Sequence, residues 1–456
     1  MAEVAPFRGL HYNPAKVAHF EEVVTPPYDV ISPKEREAYG ARHPFNMVHL
    51  ILPQALPGDN LLNNRYTRAG ALFRQWQRDG VLLRDPEPAF YYWETEFPHQ
   101  GRTFTRRGLA ALVRLEPLSS GIIKPHEQTF SAIKADRLEL LKHSQAHFSP
   151  IFVLFPDKER LVLEEMRQDL PPEPLMAFRD SEGNWQRLFR VTSPPVLNST
   201  HQAMLTWPLY IADGHHRYET ALAYQKWLKQ TYPPASPRAG FNYVLMYLAN
   251  MYDPELVILM AHRLLGGPRL KHLDKDWLLG RLSEFFELTE LSGSDPAAAD
   301  YAAFLQESLD AAAGAQETTM LLQGFGQCRR LELRPGVRPR LLARQMHPAL
   351  AQLDVAVLNF LIFEKILGLD AKAQDDPQTC KYTSKIPEAL AALSRGDARL
   401  AFFLNPTRIE QVQEVAAAGL IMPRKSTFFY PKVPTGMILN PINPQEEIVL
   451  PDPSAK

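Results

Sequence analysis

Over residues 1–115 the apolar positions change between helical and strand-like spacing, which predicts a mixed α/β unit. Ser32 followed by Pro33 supplies a capping hydroxyl and a first-turn proline for a short helix running to Arg42. Residues 60–78 place Leu61, Leu62, Tyr66, Ala69, Leu72, Phe73 and Trp76 on one helical face, and Asp79-Gly80 ends it. Residues 89–97 and 102–115 predict a hairpin about Pro98 to Gly101. A loop carrying His126-Glu127, a helix over 136–147 and a strand over 150–155 follow. Residues 177–191 predict a second hairpin, about Asp180 to Gly183.

The next apolar run is short and its neighbours are polar. Leu209, Tyr210, Ile211 and Ala212 suffice for one buried strand, and Asp213-Gly214 breaks it with turn chemistry. Tyr218, Leu222, Gln225 and Lys226 then recur at helical spacing. A strand, a tight turn and a helix start gather Asp213, His215, His216 and Arg217 at a strand's carboxyl end. Open α/β sheets bind ligands there, and free amides at a helix start favour an anion.

Two apolar strands are predicted over 243–251 and 256–261, and a compositional shift at Gly266-Gly267-Pro268 suggests a boundary, giving domains 1–265 and 266–456. Beyond it the pattern predicts helices over 276–286, 296–313, 353–367 and 407–418, and strands over 318–323, 328–333 and 399–404. A polar loop over 423–432 comes last.

A chain of 456 residues exceeds one ordinary core. Its net charge of -1 gives no general pull toward nucleic acid or anionic membrane. Cys328 and Cys380 match no zinc or redox spacing, so a reducing, cytoplasmic location is expected. No signal peptide is expected, and no apolar stretch reaches the roughly 20 residues of a membrane helix. The 40 prolines fall mostly in connections, where they stiffen loops and end helices.

The string Ile211-Ala-Asp-Gly-His-His-Arg-Tyr-Glu-Thr-Ala221 resembles the signature of domain of unknown function family 1015 (DUF1015). Further segments of that pattern are Phe7 to Asn13, Pro26 to Ser32, His126 to Thr129, Asp136 to Leu138 and Phe148 to Phe152. Leu353-Asp354, Asn405-Pro-Thr407 and Met422 to Thr427, ending at Pro431-Lys432, continue it. Gln128 departs from the pattern, which has an arginine there. The Asp-Gly-His-His-Arg core also resembles the ParB/sulfiredoxin-like nucleotide-binding fold, which includes an ADP-dependent free serine kinase. These resemblances imply an α+β (mixed α/β) chain, with a ParB/sulfiredoxin-like N-terminal portion and an additional α/β C-terminal domain.

Asp213 can act as general base toward a hydroxyl or hold a magnesium ion that bridges phosphates; the alternative is an Asx-turn residue closing its own loop. His215 and His216 point about 100° apart on a helix, so one is expected at a phosphate or in proton transfer. His215 and Glu219 share a helical face, as metal ligands or as a supporting pair. Arg217 suits bidentate phosphate or carboxylate binding. Asp136-Arg137 is expected to open a helix, with Arg137 at phosphate, and Glu127 is a second carboxylate or a cap. His143 and His147 have metal-like spacing but read as surface histidines on an amphipathic helix. The serine-kinase resemblance implies an N-terminal carboxylate, for which Asp29 is the candidate, a turn-capping role being the alternative. Lys425, Ser426, Thr427 and Lys432 form a candidate phosphate cradle without the glycine-rich run of a P-loop. Asn405-Pro-Thr407-Arg408 caps a helix.

The leading expectation is a small-molecule phosphotransferase or nucleotide-binding enzyme using ATP or ADP and Mg2+. Asp213, His215, His216, Asp29 and Glu127 are its candidate catalytic residues, and Arg217, Arg137, Lys425, Ser426, Thr427 and Lys432 its phosphate-binding ones. A serine-like acceptor is implied by the resemblance alone. The partner is a small-molecule substrate, with no membrane; the absence of a basic helix-turn-helix argues against nucleic acid, and the oligomeric state is open. The alternatives are a ParB-like nucleotide-binding regulatory module, or a metal-dependent hydrolase using His126, Glu127, His215 and Asp213.

Overall fold

The computed structural model describes residues 1–127, 129, 131–232, 236–291, 300–313 and 317–452. It is a mixed α+β structure. Two compact units are distinguished: Met1–Pro125, Thr129–Val257 and Pro431–Lys456 form one, and His126–Gln128 with Ile258–Tyr430 the other. The chain passes between them at Pro125/His126, Gln128/Thr129, Val257/Ile258 and Tyr430/Pro431.

The first unit is built on a mixed sheet of nine strands among the described residues: β1 (Val4–Ala5), β2 (Phe90–His99), β3 (Arg102–Arg114), β4 (Ile123–Lys124), β5 (Ile151–Phe155), β6 (Met176–Arg179), β7 (Trp185–Val191), β8 (Leu209–Asp213) and β9 (Tyr243–Asn250). The order is β4-β8-β5-β9-β3-β2-β7-β6, with β1 paired to β3. The hairpins β2–β3 and β6–β7 form where the turn residues predict them. Alternation along β3 and β9 sends Leu109, Ala111, Val113, Val244, Met246 and Leu248 into one core with Ile211 and Tyr218.

Three helices of this unit bear on the site: α1 (Arg65–Arg78), α2 (Ser131–Ser144) and α3 (His215–Thr231). Helix α1 starts five residues later than the apolar pattern suggests. The Asn64 side chain accepts from the amides of Tyr66 and Thr67, capping the helix there. Leu61 and Leu62 are therefore left in the preceding loop, 94% and 89% exposed. Helix α2 begins at Ser131, so Asp136-Arg137 lies in mid-helix rather than opening it. It also stops before His147, which sits in the short strand Ala146–His147 paired to Asn440–Pro441.

The second unit is built on a sheet of six antiparallel strands among the described residues: β10 (His262–Leu265), β11 (Phe286–Glu290), β12 (Thr319–Gly324), β13 (Gln327–Leu333), β14 (Cys380–Thr383) and β15 (Leu400–Leu404). Their order is β11-β13-β12-β15-β10-β14. Both faces are covered: Met320, Leu322 and Phe402 enter one core, Leu321, Ala401 and Phe403 the other. The apolar run after Leu353 forms α4 (Asp354–Val357) and continues as a wider π-helical stretch, Leu358–Ile366. Helix α5 (Ile409–Ala417) follows β15. The helix expected over 276–286 ends at Ser283, because Phe286 starts β11. Of the helix expected over 296–313, Tyr301–Asp310 is helical, while 296–299, like Gln128, lies outside the described residues. Cys328 and Cys380 are buried free thiols. No helix among the described residues is long and apolar enough to cross a membrane.

Candidate functional site

Strand β8 ends at Asp213, where its register against β5 shifts between Ile211 and Asp213. Such an irregularity re-aims a side chain. The turn needs glycine: Gly214 has φ 95°, and a Cβ there would lie 2.9 Å from the Arg217 guanidinium. That absent side chain lets Arg217 fold back over the turn. Its Nη2 lies 2.6 Å from Asp213 Oδ2, and its Nη1 donates to the Pro150 carbonyl. The second carboxylate oxygen, Oδ1, accepts from Lys432 Nζ, brought from 219 positions away.

The three side chains of this cluster are only 14–15% exposed. Burial on its own would raise the Asp213 pKa; the charges of Lys432 and Arg217 more than reverse that and hold the carboxyl well below the usual range. Asp213 is therefore a carboxylate at any physiological pH and a weak proton acceptor. It spends its oxygens on the two cations rather than on closing its own turn, as the Asx-turn alternative had it.

His215 is buried, and His216 is half-buried, its carbonyl accepting from Thr220 Oγ1 at 2.7 Å. Glu219 is engaged by Thr129 Oγ1 at 2.7 Å and by Lys134 Nζ at 2.5 Å. No three His, Cys, Asp or Glu side chains converge as a metal site among the described residues.

A cavity of about 550 Å3, counted to its open mouth, is lined by Arg217, Arg137, Tyr28, His147, Ser149 and Thr220, with apolar side chains between them. Arg137 is fixed in its wall. Nε lies 2.8 Å from Asp136 Oδ2, Nη1 donates to the Ile51 carbonyl at 2.6 Å, and the guanidinium lies 4.5 Å over the Tyr28 ring. Asp136 is held in turn by Arg65 and by the Tyr66 hydroxyl, each at 2.7 Å. Burial pushes the Tyr28 phenol up to about 12, with Asp29 adding to the effect and Arg217 and Arg137 opposing it. Asp29 itself is exposed in the short helix Tyr28–Val30. His147 is no surface histidine: burial pushes it down to about 3, so it is neutral, and Asn440 Nδ2 lies 3.2 Å from its Nδ1.

Arg106 escaped the sequence reading. It is 1% exposed, faces the Phe152 and Tyr247 rings at 5.0 and 5.3 Å, and donates to the Pro431 carbonyl next to Lys432. Its signal was available: Phe104, Arg106 and Gly108 share the alternating inward register of β3. A cation at an inward position is expensive unless it holds something, and this one anchors the segment that delivers Lys432.

In the second unit, Lys425 adopts φ 53°, and Arg263 Nη2 donates to the carbonyls of Arg424 and Lys425, each at 3.1 Å. Burial pushes the Arg263 guanidinium down to about 10. Ser426 is fully buried and its hydroxyl donates to the Pro423 carbonyl, so the expected two-hydroxyl cradle is instead a braced loop. Thr427 Oγ1 lies 3.0 Å from His126 Nε2, and the His126 carbonyl accepts from the Met422 amide. Glu127 is half-buried in this unit. Of the expected site residues, Asp213, His215, His216, Arg217, Arg137, Asp29 and Lys432 thus belong to the first unit, and Glu127, Lys425, Ser426 and Thr427 to the second.

The family described as "Protein of unknown function (DUF1015)" matches residues 4–356 of the chain. No curated protein matches the sequence. Similar solved structures include a conserved hypothetical protein from Pyrococcus furiosus (14% identity, TM-score 0.34, covering 73% of this chain and 95% of that one). A free serine kinase variant in complex with ADP is also 14% identical (TM-score 0.34, 75% and 92% covered). SbnI with a C-terminal truncation, from Staphylococcus aureus, is 10% identical (TM-score 0.32, 71% and 84% covered). Likeness at this level assigns neither ligand nor activity.

Proposed function

We propose that this chain, which belongs to the DUF1015 family, is a small-molecule phosphotransferase or nucleotide-binding enzyme whose phosphate-recognising centre is the cluster of Asp213, Arg217 and Lys432. One observation carries this reading: two largely buried cations share a single carboxylate beside a helix start that has no side-chain cap. The excess positive charge beside the start of α3 suits a phosphate group. Arg217 offers a bidentate fork, Lys432 a point charge, and Arg137 a third cation in the adjoining wall.

Asp213 acts here as the counter-ion that keeps both cations aimed, because its depressed basicity makes it a poor base in this arrangement. The exposed Asp29 and the histidine pair His215 and His216 are the first unit's remaining candidates to accept a proton from a hydroxyl substrate. ADP or ATP fits this cluster through its phosphates and would supply the transferable phosphoryl group. A resident Mg2+ fits less well, since both Asp213 oxygens are already taken by cations. The ParB/sulfiredoxin-like N-terminal portion and the serine-like acceptor belong to this proposal as its finer parts.

The test is thermal shift and calorimetry with ADP, ATP, pyrophosphate and phosphoserine, with and without magnesium, on the wild type and Lys432→Gln. A site-specific ligand at 100 times its Kd adds about 2.7 kcal/mol of stability. Binding of a nucleotide or pyrophosphate, weakened about tenfold or more in Lys432→Gln, is the expected result. No stabilisation by any of the four would overturn the reading.

A further inference from the structure

We propose that the second unit carries a ligand site of its own, a polar cavity between Asp354 and Arg408 that takes a small zwitterion of the α-amino acid class. The cavity holds about 690 Å3 counted to its mouth, and its lining is more polar than apolar, with Thr318, Gln352, Asp354, Asn405, Arg408 and Gln411 among its polar members. Leu353-Asp354 and Asn405-Pro-Thr407, two segments that carry the family resemblance and that the proposed function leaves unused, meet in its wall.

The charges in this wall are unevenly matched. Arg338 is spent: Nη1 donates to the Ala351 carbonyl, Nη2 lies 3.1 Å from Thr318 Oγ1, and Glu317 sits 3.3 Å away as its counter-ion. Thr318 is 1% exposed; with its oxygen accepting from Arg338, its proton is free to go to Asp354. Asp354 thus has a hydroxyl and two guanidiniums in range, Arg338 and Arg408, and they do not offset its burial, which pushes it up to about 6. A carboxylate placed at a helix start for its dipole alone would be shifted the other way.

Arg408 stands at the head of α5, with its amide fixed by Gln411 Oε1 at 3.0 Å and Gln411 Nε2 bonded to the Gln352 carbonyl at 3.1 Å. Its side chain is exposed at the cavity rim. An ammonium group would supply the positive charge that Asp354 lacks, and a carboxylate would engage Arg408 in the planar fork that guanidinium offers. Asn405 and Gln352 remain for the polar body between them. No aromatic side chain among the described residues lines the cavity, so a nucleobase has nothing to stack on.

The experiment titrates the full chain with the twenty L-α-amino acids, with methylammonium and acetate as single-charge arms. At least one amino acid should bind, and both arms should bind at least tenfold more weakly. Binding an ammonium stabilises the Asp354 carboxylate, so at pH 6 it should release roughly half a proton per ligand, read from the dependence of the heat on buffer ionisation enthalpy. The charged and hydroxyl groups that share the cavity lining with Asp354 are Glu317, Thr318, Arg338 and Arg408, the last three acting on it directly. Asp354→Asn should abolish the proton release and weaken binding at least tenfold, with the unliganded fold intact by its melting curve. Arg408→Gln should weaken binding and leave the proton release. Absence of binding by every amino acid, equal binding of either arm, or binding indifferent to Asp354→Asn would overturn the proposal. None of these outcomes bears on Lys432 and the first unit, so the two readings fail separately.

Discussion

Asp213, at the end of β8, and Asp354, at the start of α4, are both carboxylates drawn largely out of water in their respective units. Asp213 has a cation on each oxygen, and its pKa is driven down; Asp354 has a hydroxyl and two guanidiniums that are held or directed elsewhere, and its pKa rises to about 6. Burial is common to both, so the sign of the shift is set by how many partners are dedicated to the carboxylate. The first residue is a fixed charge that organises cations; the second is a group whose charge a ligand can change.

Removing the Asp213 charge is the most severe way to break this contrast. Asp213→Asn leaves Arg217 and Lys432 buried without their carboxylate and should cost roughly 3–5 kcal/mol by urea unfolding. Its folded pKa lies below the unfolded value of about 3.9, so this contribution is complete above that pH and is lost only as pH falls through the folded value. The deficit should therefore be flat from about pH 5 upward; a deficit that varies between pH 5 and 8 would contradict the assignment.

Asp354→Asn should move stability in the opposite direction. The fold binds the Asp354 proton more tightly than the unfolded chain does, so ionisation destabilises the fold: the penalty is absent below about pH 4, grows as pH rises to 6, and is complete above. The substitution should gain roughly 3 kcal/mol at pH 8 and little at pH 4, since each pKa unit is worth about 1.4 kcal/mol. A variant no more stable than wild type at pH 8 would mean that Asp354 is well paired after all.

Gly214→Ala probes the contrast more gently, by disturbing the geometry and keeping the charges. The left-handed backbone should cost about 1–2 kcal/mol, and the 2.9 Å approach to Arg217 should force the guanidinium aside. Chemical denaturation measures the first effect. The second predicts weaker pyrophosphate binding than a substitution such as Gly183→Ala, at a glycine of φ 84° whose Cβ would meet nothing within 4 Å.

Local order was legible in the sequence. The strand, turn and helix around Asp213 emerge as β8 and α3, because apolar run, glycine and helical spacing all agree there. The hairpin β2–β3 was equally plain. Long-range pairing was not legible: nothing in the residues near 432 announces that Lys432 meets Asp213 while Ser426, six positions earlier, turns inward to the Pro423 carbonyl. Hydroxyls and cations read alike whether they face a ligand or a neighbouring carbonyl. The early start of α2 and the burial of His147 were hidden for a related reason, since tertiary packing decides them rather than periodicity.

Lys432 also gives the centre a timetable. At synthesis rates of roughly 5–20 residues per second, the 219 positions separating it from Asp213 take about 10–40 seconds to make. During that interval the nascent chain holds Asp213 and Arg217 without their third partner, while the whole of Ile258–Tyr430 emerges from the ribosome. A message cut short before codon 432 would yield a chain that retains the second unit's strands and helices and lacks the finished charge cluster. Completion of the cluster is thus a late event in translation, and its assembly reports that the ribosome has read past that point.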